Sequence, residues 1–360
     1  MSYPACHNGE YRVPTDAPEA DGTFAWSQTR LVVVEVDGGG KSGLGYTYGP
    51  KAVGQLVEEM LAREVEGEEP RDVPRLWEKQ RRGLRNAGQP GLGAMALAAV
   101  DAALWDLKAK LFHVPLVTLL GAARDVVPVY GSGGFTSYDL VRLRDQLGGL
   151  GSRGFRRVKT KVGAESSADL ARVRAARQAI GPRCELFGDA NGAYARAEAL
   201  GFARDFAELD VRWFEEPVSS NDLDGLHFLH DRAPPGMAVA AGEYGSDTVY
   251  FRRLLEADAV HVLQADGTRC GGITGFLRAA VLCEAFETPL SAHCAPALHL
   301  HACCAAPKLV HLEYFHDHAR LERMLFDGMV EPVGGALRPD LSRPGLGLEL
   351  RRSDVARFAI

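Results

Sequence analysis

The chain has 360 residues, 46% of them hydrophobic and 24% charged, with a formal net charge of -6. That length suits one large domain with a smaller companion, and the acidic balance gives no basic footprint for nucleic acid. No run of about 18 apolar residues offers a membrane span, and Met1 to Glu10 lacks the basic-then-apolar pattern of a secretion leader.

Residues 1–125 read as a small α+β unit. Glu10–Val13 is a short strand, with little chain before it. Pro14 to Ala25 is rich in Pro, Asp and Gly, shows no periodicity and reads as a loop. Leu31–Val36 is a clear strand; Asp37–Gly40 turns it, and Ser42–Tyr48 returns as the second arm of a hairpin. Helical patterns follow over 53–62, 73–84 and 93–111.

From Val126 the pattern changes to strand and helix in alternation. The strands are expected at 127–130, 155–161, 185–187, 212–214, 238–241, 260–263, 289–291 and 309–312, with a helix after each of the first seven. Eight such repeats favour a closed (β/α) barrel over an open sheet. Residues 126–330 form this barrel, and 331–360, rich in Pro and Gly at first, cross back to the first unit. The cysteines, Cys6, Cys184, Cys270, Cys283, Cys294, Cys303 and Cys304, include no CxxC pair. They read as free thiols in a reducing cytoplasm.

Barrel chemistry sits at the C-terminal ends of the strands. Strand three ends in Asp189, strand four in Glu215 and strand five in Glu243. One such acid alone reads as a helix N-cap. Three in register on consecutive strands repel unless a cation joins them, and an all-oxygen set fits Mg²⁺. Strand six ends in Asp266 and strand seven in His293. Neighbouring strands place the two side by side, so the carboxylate can fix the tautomer of the imidazole. Strand eight ends in Glu313.

Lysine is scarce, only 8 residues, yet Lys159 and Lys161 sit one residue apart on strand two. Side chains alternate along a strand, so both point into the barrel if Val158 and Val162 face the helices. Two buried cations that close depress each other's pKa, which is one way to make a lysine base. In an eight-stranded barrel, strand two lies opposite strands six and seven. Lys161 and the His293–Asp266 pair would then face each other beside the metal.

These residues resemble the enolase superfamily, and within it the mandelate racemase subgroup. The resemblance rests on Gly91–Ala96, Ala103–Lys108, Lys159-Thr160-Lys161, Asp189-Ala190-Asn191, Glu215-Glu216-Pro217, Gly242-Glu243, Asp266, His293 and Glu313, in that order. It implies a modified (β/α)7β barrel under an α+β capping domain, and an oligomer of identical chains. It implies Mg²⁺ on Asp189, Glu215 and Glu243, with Lys161 as base on one face and His293, poised by Asp266, as acid or base on the other. Lys159 would lower the pKa of Lys161 and bind the substrate carboxylate, Glu313 would hydrogen-bond the developing enolate, and Asn191 would touch substrate. The 14–25 loop, with Asp16, Glu19, Asp21 and Thr23 and with Phe24 and Trp26 at its end, would be the lid that selects substrate.

A proton α to a carboxylate is too weakly acidic for a side-chain base alone. A divalent cation and cationic neighbours aimed at the carboxylate oxygens meet that need. The expected substrate is a small carboxylate. Its dehydration as an acid sugar to a 2-keto-3-deoxy acid suits a polar mouth, to which Ser132, Thr136, His316, Asp317 and Arg320 would contribute. A racemase or epimerase of a 2-hydroxy acid would use the same residues. A metal-dependent hydrolase would want histidine ligands, and a non-catalytic sugar-acid-binding barrel would lack one of the acids or bases.

Overall fold

The computed structural model describes residues 5–360; residues 1–4, which open the Met1–Glu10 stretch, lie outside the described residues. Two periods of hydrophobicity organise them. The first builds an antiparallel sheet of β1 (Ala5–Ala20), β2 (Ala25–Gly38) and β3 (Lys41–Tyr48), in that order. One face of β2, carrying Val32, Val34 and Val36, packs on helices of the same unit. These are α1 (Lys51–Leu56), α2 (Ala62–Val65), α3 (Val73–Gly83) and α4 (Leu92–Leu111), with a π-helical turn over Val57–Leu61 between the first two. The glycines of β3 let α4 come close, since a Cβ on Gly43 or Gly45 would lie 2.1 Å from a carbonyl of α4.

The stretch read as a loop over 14–25 is largely strand. β1 runs on to Ala20, and Ala20 pairs with Ala25 across a tight turn; the register shifts between Pro14 and Glu19. The period was hidden by chemistry. Val13, Thr15, Ala17 and Glu19 are more buried than their neighbours Arg12, Pro14, Asp16 and Pro18, yet two of the inward four are polar. The prolines are tolerated because β1 lies at the edge of the three-stranded sheet. The first capping strand is therefore long, not short.

After α5 (Leu116–Leu120) the barrel begins. Its strands are β4 (Val127–Gly133), β5 (Arg157–Lys161), β6 (Glu185–Asp189), β7 (Val211–Glu215), β8 (Ala238–Ala241), β9 (Val262–Ala265), β10 (Leu290–Ala292) and β11 (Leu309–Phe315). The helices between them are α6 (Leu140–Ser152), α7 (Ser166–Ile180), α8 (Arg196–Ala207), α9 (Leu223–Arg232), α10 (Thr248–Glu256), α11 (Gly272–Ala285) and α12 (Pro296–Ala305). β11 pairs in parallel with β4, which closes the ring, and is followed by α13 (His316–Leu325). The tail adds β12 (Phe326–Asp327), β13 (Ala336–Leu337), which pairs antiparallel with β4, and β14 (Glu349–Leu350). The chain end returns to the capping sheet, where the Ile360 amide donates to the Glu10 carbonyl.

Inward-facing side chains form two layers of opposite character. Tyr130, Phe187, Trp213, Ala240 and Val262 make an apolar floor, with the His311 ring against its three aromatics. Two residues further along the same strands stand Ser132, Asp189, Glu215, Gln264 and Glu313, as the two-residue period of a strand requires. The floor keeps water from below, so the charged layer above it is desolvated on one side. Among the described residues no helix is long and apolar enough to cross a membrane.

Candidate active site

Strand register sets the first row of the site. Lys161 pairs with Asp189, and Asp189 with Glu215. Glu243 follows β8 after Gly242, whose φ of 131° only glycine adopts readily. Asp189, Glu215 and Glu243 are buried, with carboxylate oxygens within 4.8 Å of one another. Such a set of hard oxygen donors fits a divalent cation of the Mg²⁺ type. Without one their charges conflict: burial and the Asp189 carboxylate push Glu215 up to about 8. The aromatic floor contributes one bond, from Trp213 Nε1 to Glu215 Oε2 at 2.9 Å.

The two lysines do not behave as their mutual repulsion suggests. Lys159 Nζ lies 2.5 Å from Glu215 Oε1, 2.9 Å from Glu313 Oε1 and 3.1 Å from Asp189 Oδ2. Lys161 Nζ donates to Asp189 Oδ2 at 2.5 Å and to Asn191 Oδ1 at 3.1 Å. Burial and Lys159 both pull the Lys161 pKa down, but the carboxylates of Asp189, Glu243 and Glu215 together outweigh them and hold it above the ordinary lysine value. The expected depression is thus reversed while these carboxylates carry their full charge. Lys161 and Asn191 line the cavity; Lys159, fully buried, does not.

At the other end of the carboxylate row stands His293. Its Nδ1 lies 2.9 Å from Asp266 Oδ2, whose other oxygen accepts from the Thr268 amide and hydroxyl at 2.7 Å each. Its Nε2 lies 3.1 Å from Glu243 Oε2 and 3.5 Å from Glu313 Oε2. Burial disfavours the imidazolium, but Cys294, Glu243 and Glu313 together raise its pKa well above the ordinary value. Burial would lift Glu313, yet Lys159 and His293 hold it low. It is an acceptor in this arrangement, and a donor to an enolate only after gaining a proton.

Lys161, Asn191, Glu243, His293 and Glu313 open into a cavity of about 360 Å³. Its roof is the β1–β2 hairpin, which contributes Asp21, Thr23, Phe24 and Trp26. The tip is pressed onto the barrel: a Cβ on Gly22 would lie 2.3 Å from the Ala190 carbonyl and 2.6 Å from that of Val162. Residues expected at the polar mouth hold this roof instead of lining the cavity. Thr136 Oγ1 donates to the Asp21 carbonyl at 2.6 Å, Arg320 donates to the Pro14 carbonyl at 2.7 Å, and His316 lies 3.3 Å from Asp16. Asp317 is fully buried and accepts from Thr29 Oγ1 and Arg320. Ser132 is also fully buried and does not reach the cavity wall. Under the roof Trp26 Nε1 donates to Glu19, whose carboxyl is lifted to about 8 by burial and by Asp317.

Sequence reasoning missed several groups in the wall, among them Arg269, Cys294, Tyr48 and His318. Arg269 Nη1 lies 3.2 Å from Glu243 Oε1, and its Nε lies 3.7 Å from Asp266 Oδ2, so one guanidinium spans the carboxylate row and the histidine pair. Cys294 Sγ is 3.2 Å from His293 Nε2. Tyr48 and His318 stack at 3.4 Å and join the capping sheet to α13. Arg269 was legible as the residue three after Asp266 and Cys294 as the one after His293; the Tyr48–His318 contact has no local signal.

Comparison with known proteins identifies the family. Residues 142–355 match the model for the enolase C-terminal domain-like family, and residues 12–121 that for the mandelate racemase/muconate lactonizing enzyme N-terminal domain. A 3,6-anhydro-alpha-L-galactonate cycloisomerase of Streptomyces coelicolor is 32% identical over 97% of each chain. A mandelate racemase/muconate lactonizing enzyme-like protein of Rubrobacter xylanophilus is 54% identical over the whole of both chains, with a TM-score of 0.98. The L-talarate dehydratase of Polaromonas sp. JS666, solved with Mg and L-glucarate, is 31% identical over 100% of this chain and 97% of its own, with a TM-score of 0.90. The chain belongs to the mandelate racemase/muconate lactonizing enzyme family of the enolase superfamily.

Proposed function

We propose that this protein removes the proton α to the carboxylate of an acid sugar and expels the β-hydroxyl, giving a 2-keto-3-deoxy acid. The observation that carries this reading is that Lys161 and His293 open onto one cavity at opposite ends of the carboxylate row, Lys161 against Asp189 and His293 against Glu243. Magnesium, present in the talarate dehydratase relative, would be held by Asp189, Glu215 and Glu243, would offset the charge that keeps Lys161 protonated and would stabilise charge growing on the substrate carboxylate. Lys161 Nζ takes the α-proton. Lys159 stays charged beneath Glu215 and Glu313 and keeps the site's potential from becoming too negative for an anionic substrate. His293, with Asp266 at Nδ1, presents Nε2 toward the cavity and protonates the departing oxygen. The hairpin roof keeps water off the enolate.

A second reading is ring opening by the same elimination, with a ring oxygen as the leaving group. The cycloisomerase relative favours it. A panel of acid sugars and their anhydro and lactone forms, incubated with Mg²⁺, separates the two by product mass. Loss of one water together with a semicarbazide-reactive keto acid supports dehydration. A keto acid of unchanged mass supports ring opening, and an epimer without a keto acid supports a racemase. With the substrate found, Lys161→Ala and His293→Asn are each expected to lower kcat by roughly 10²–10⁴-fold.

A further inference from the structure

A second group of ligand-type side chains lies at the other end of the barrel. α9 carries His227, His230 and Asp231, and Asp258 lies just after α10. α9 leads into β8 and Asp258 precedes β9, so the group sits at the N-terminal ends of those strands, away from the catalytic face. One ligand atom from each of the four comes within 4.8 Å of the others.

The separations are informative. His227 Nε2 lies 3.6 Å from Asp231 Oδ2, and His230 Nδ1 lies 3.6 Å from Asp231 Oδ1 and 3.9 Å from Asp258 Oδ2. These are too long for hydrogen bonds. They are close to the spacing of roughly 3.3–3.6 Å between donors that share a tetrahedral ion at about 2.0–2.2 Å. His230 Nδ1 is buried and has no hydrogen-bond partner. The His230 ring is held from behind by His261, 3.9 Å between centroids, and His261 Nδ1 is itself occupied by the Val239 amide. Asp258 is set by a left-handed backbone, φ 48°, that aspartate tolerates.

We propose that His227, His230, Asp231 and Asp258 bind a divalent transition-metal ion, with Zn²⁺ the best match to two imidazoles and two carboxylates. Two neutral rings and two carboxylates balance its charge. The ion would clamp the end of α9 to the end of α10 and stabilise the floor end of the barrel without entering the reaction.

The test is equilibrium dialysis of Zn²⁺ against the full chain in excess Mg²⁺, with thermal unfolding in parallel. The expected result is one bound Zn²⁺ and a higher Tm. Affinity should fall by at least about tenfold in His227→Ala and in Asp258→Asn, two surface positions where the fold is retained, while Glu243→Gln leaves it unchanged. Wild-type protein that binds no Zn²⁺, or binding that survives both substitutions, or binding lost only in Glu243→Gln, would overturn the proposal.

Discussion

At the scale of single residues the site depends on which proton sits where. Asp266 accepts three hydrogen bonds and is buried, so it is a fixed carboxylate behind His293. Asp266→Asn keeps the shape but can turn an amide N–H toward Nδ1, which reverses the tautomer. Turnover is expected to fall by roughly 10²–10⁴-fold with little change in KM; an unchanged kcat would mean that Nε2 does not deliver the proton. Much of this layer could be read before any fold was known. Strands β5 to β10 each end at or within two residues of a reactive side chain, so the one βα unit between Asp189, Glu215 and Glu243 in the sequence becomes adjacency in space. The ionisation of Lys161 could not be read the same way. It depends on Asp189 at 2.5 Å, a balance of opposing charges that spacing along a strand does not weigh.

At the scale of elements the β1–β2 hairpin decides access. Gly22 presses on the carbonyls of Val162 and Ala190, where a methyl group has no room. Gly22→Ala should leave the barrel folded but lift the tip. KM is expected to rise about tenfold or more, with urea stability unchanged; equal kinetics for both proteins would show that the tip need not close. This hairpin was the least legible element. Its inward positions Thr15 and Glu19 are polar and Pro14 and Pro18 punctuate it, so composition pointed to a loop. Strand pairing with β2, a contact outside the stretch itself, makes it a strand. The barrel strands were legible because each is short and alternates with a helix, whereas helix and strand ends differ from expectation by a few residues, where caps and packing decide.

At the scale of the whole molecule the capping unit and barrel are tied by buried polar groups as well as by apolar contact. Asp101 of α4 is fully buried and accepts from the Thr274 amide at 2.8 Å and the Thr274 hydroxyl at 2.6 Å, at the start of α11. Burial pushes its carboxyl up to about 7, against an ordinary value of 3.8. The folded state therefore holds a proton that the unfolded state releases between those values. Stability from this group is fully present below about pH 4 and declines as pH rises to about 7, by on the order of 1.4 kcal/mol per pH unit. Asp101→Asn can accept from the Thr274 amide and donate to its hydroxyl, so its urea midpoint should vary less with pH over that window; an unchanged slope would mean that Asp101 ionises normally in the folded protein. Base, acid and roof act together on one α-proton, and solvent-exchange NMR follows that proton. Acid sugars are incubated with the Mg²⁺-loaded protein in D₂O and the α-proton signal is followed. That signal is expected to disappear for at least one sugar acid, and to persist in Lys161→Ala. Retention of every α-proton across the panel, with Mg²⁺ bound, would contradict it.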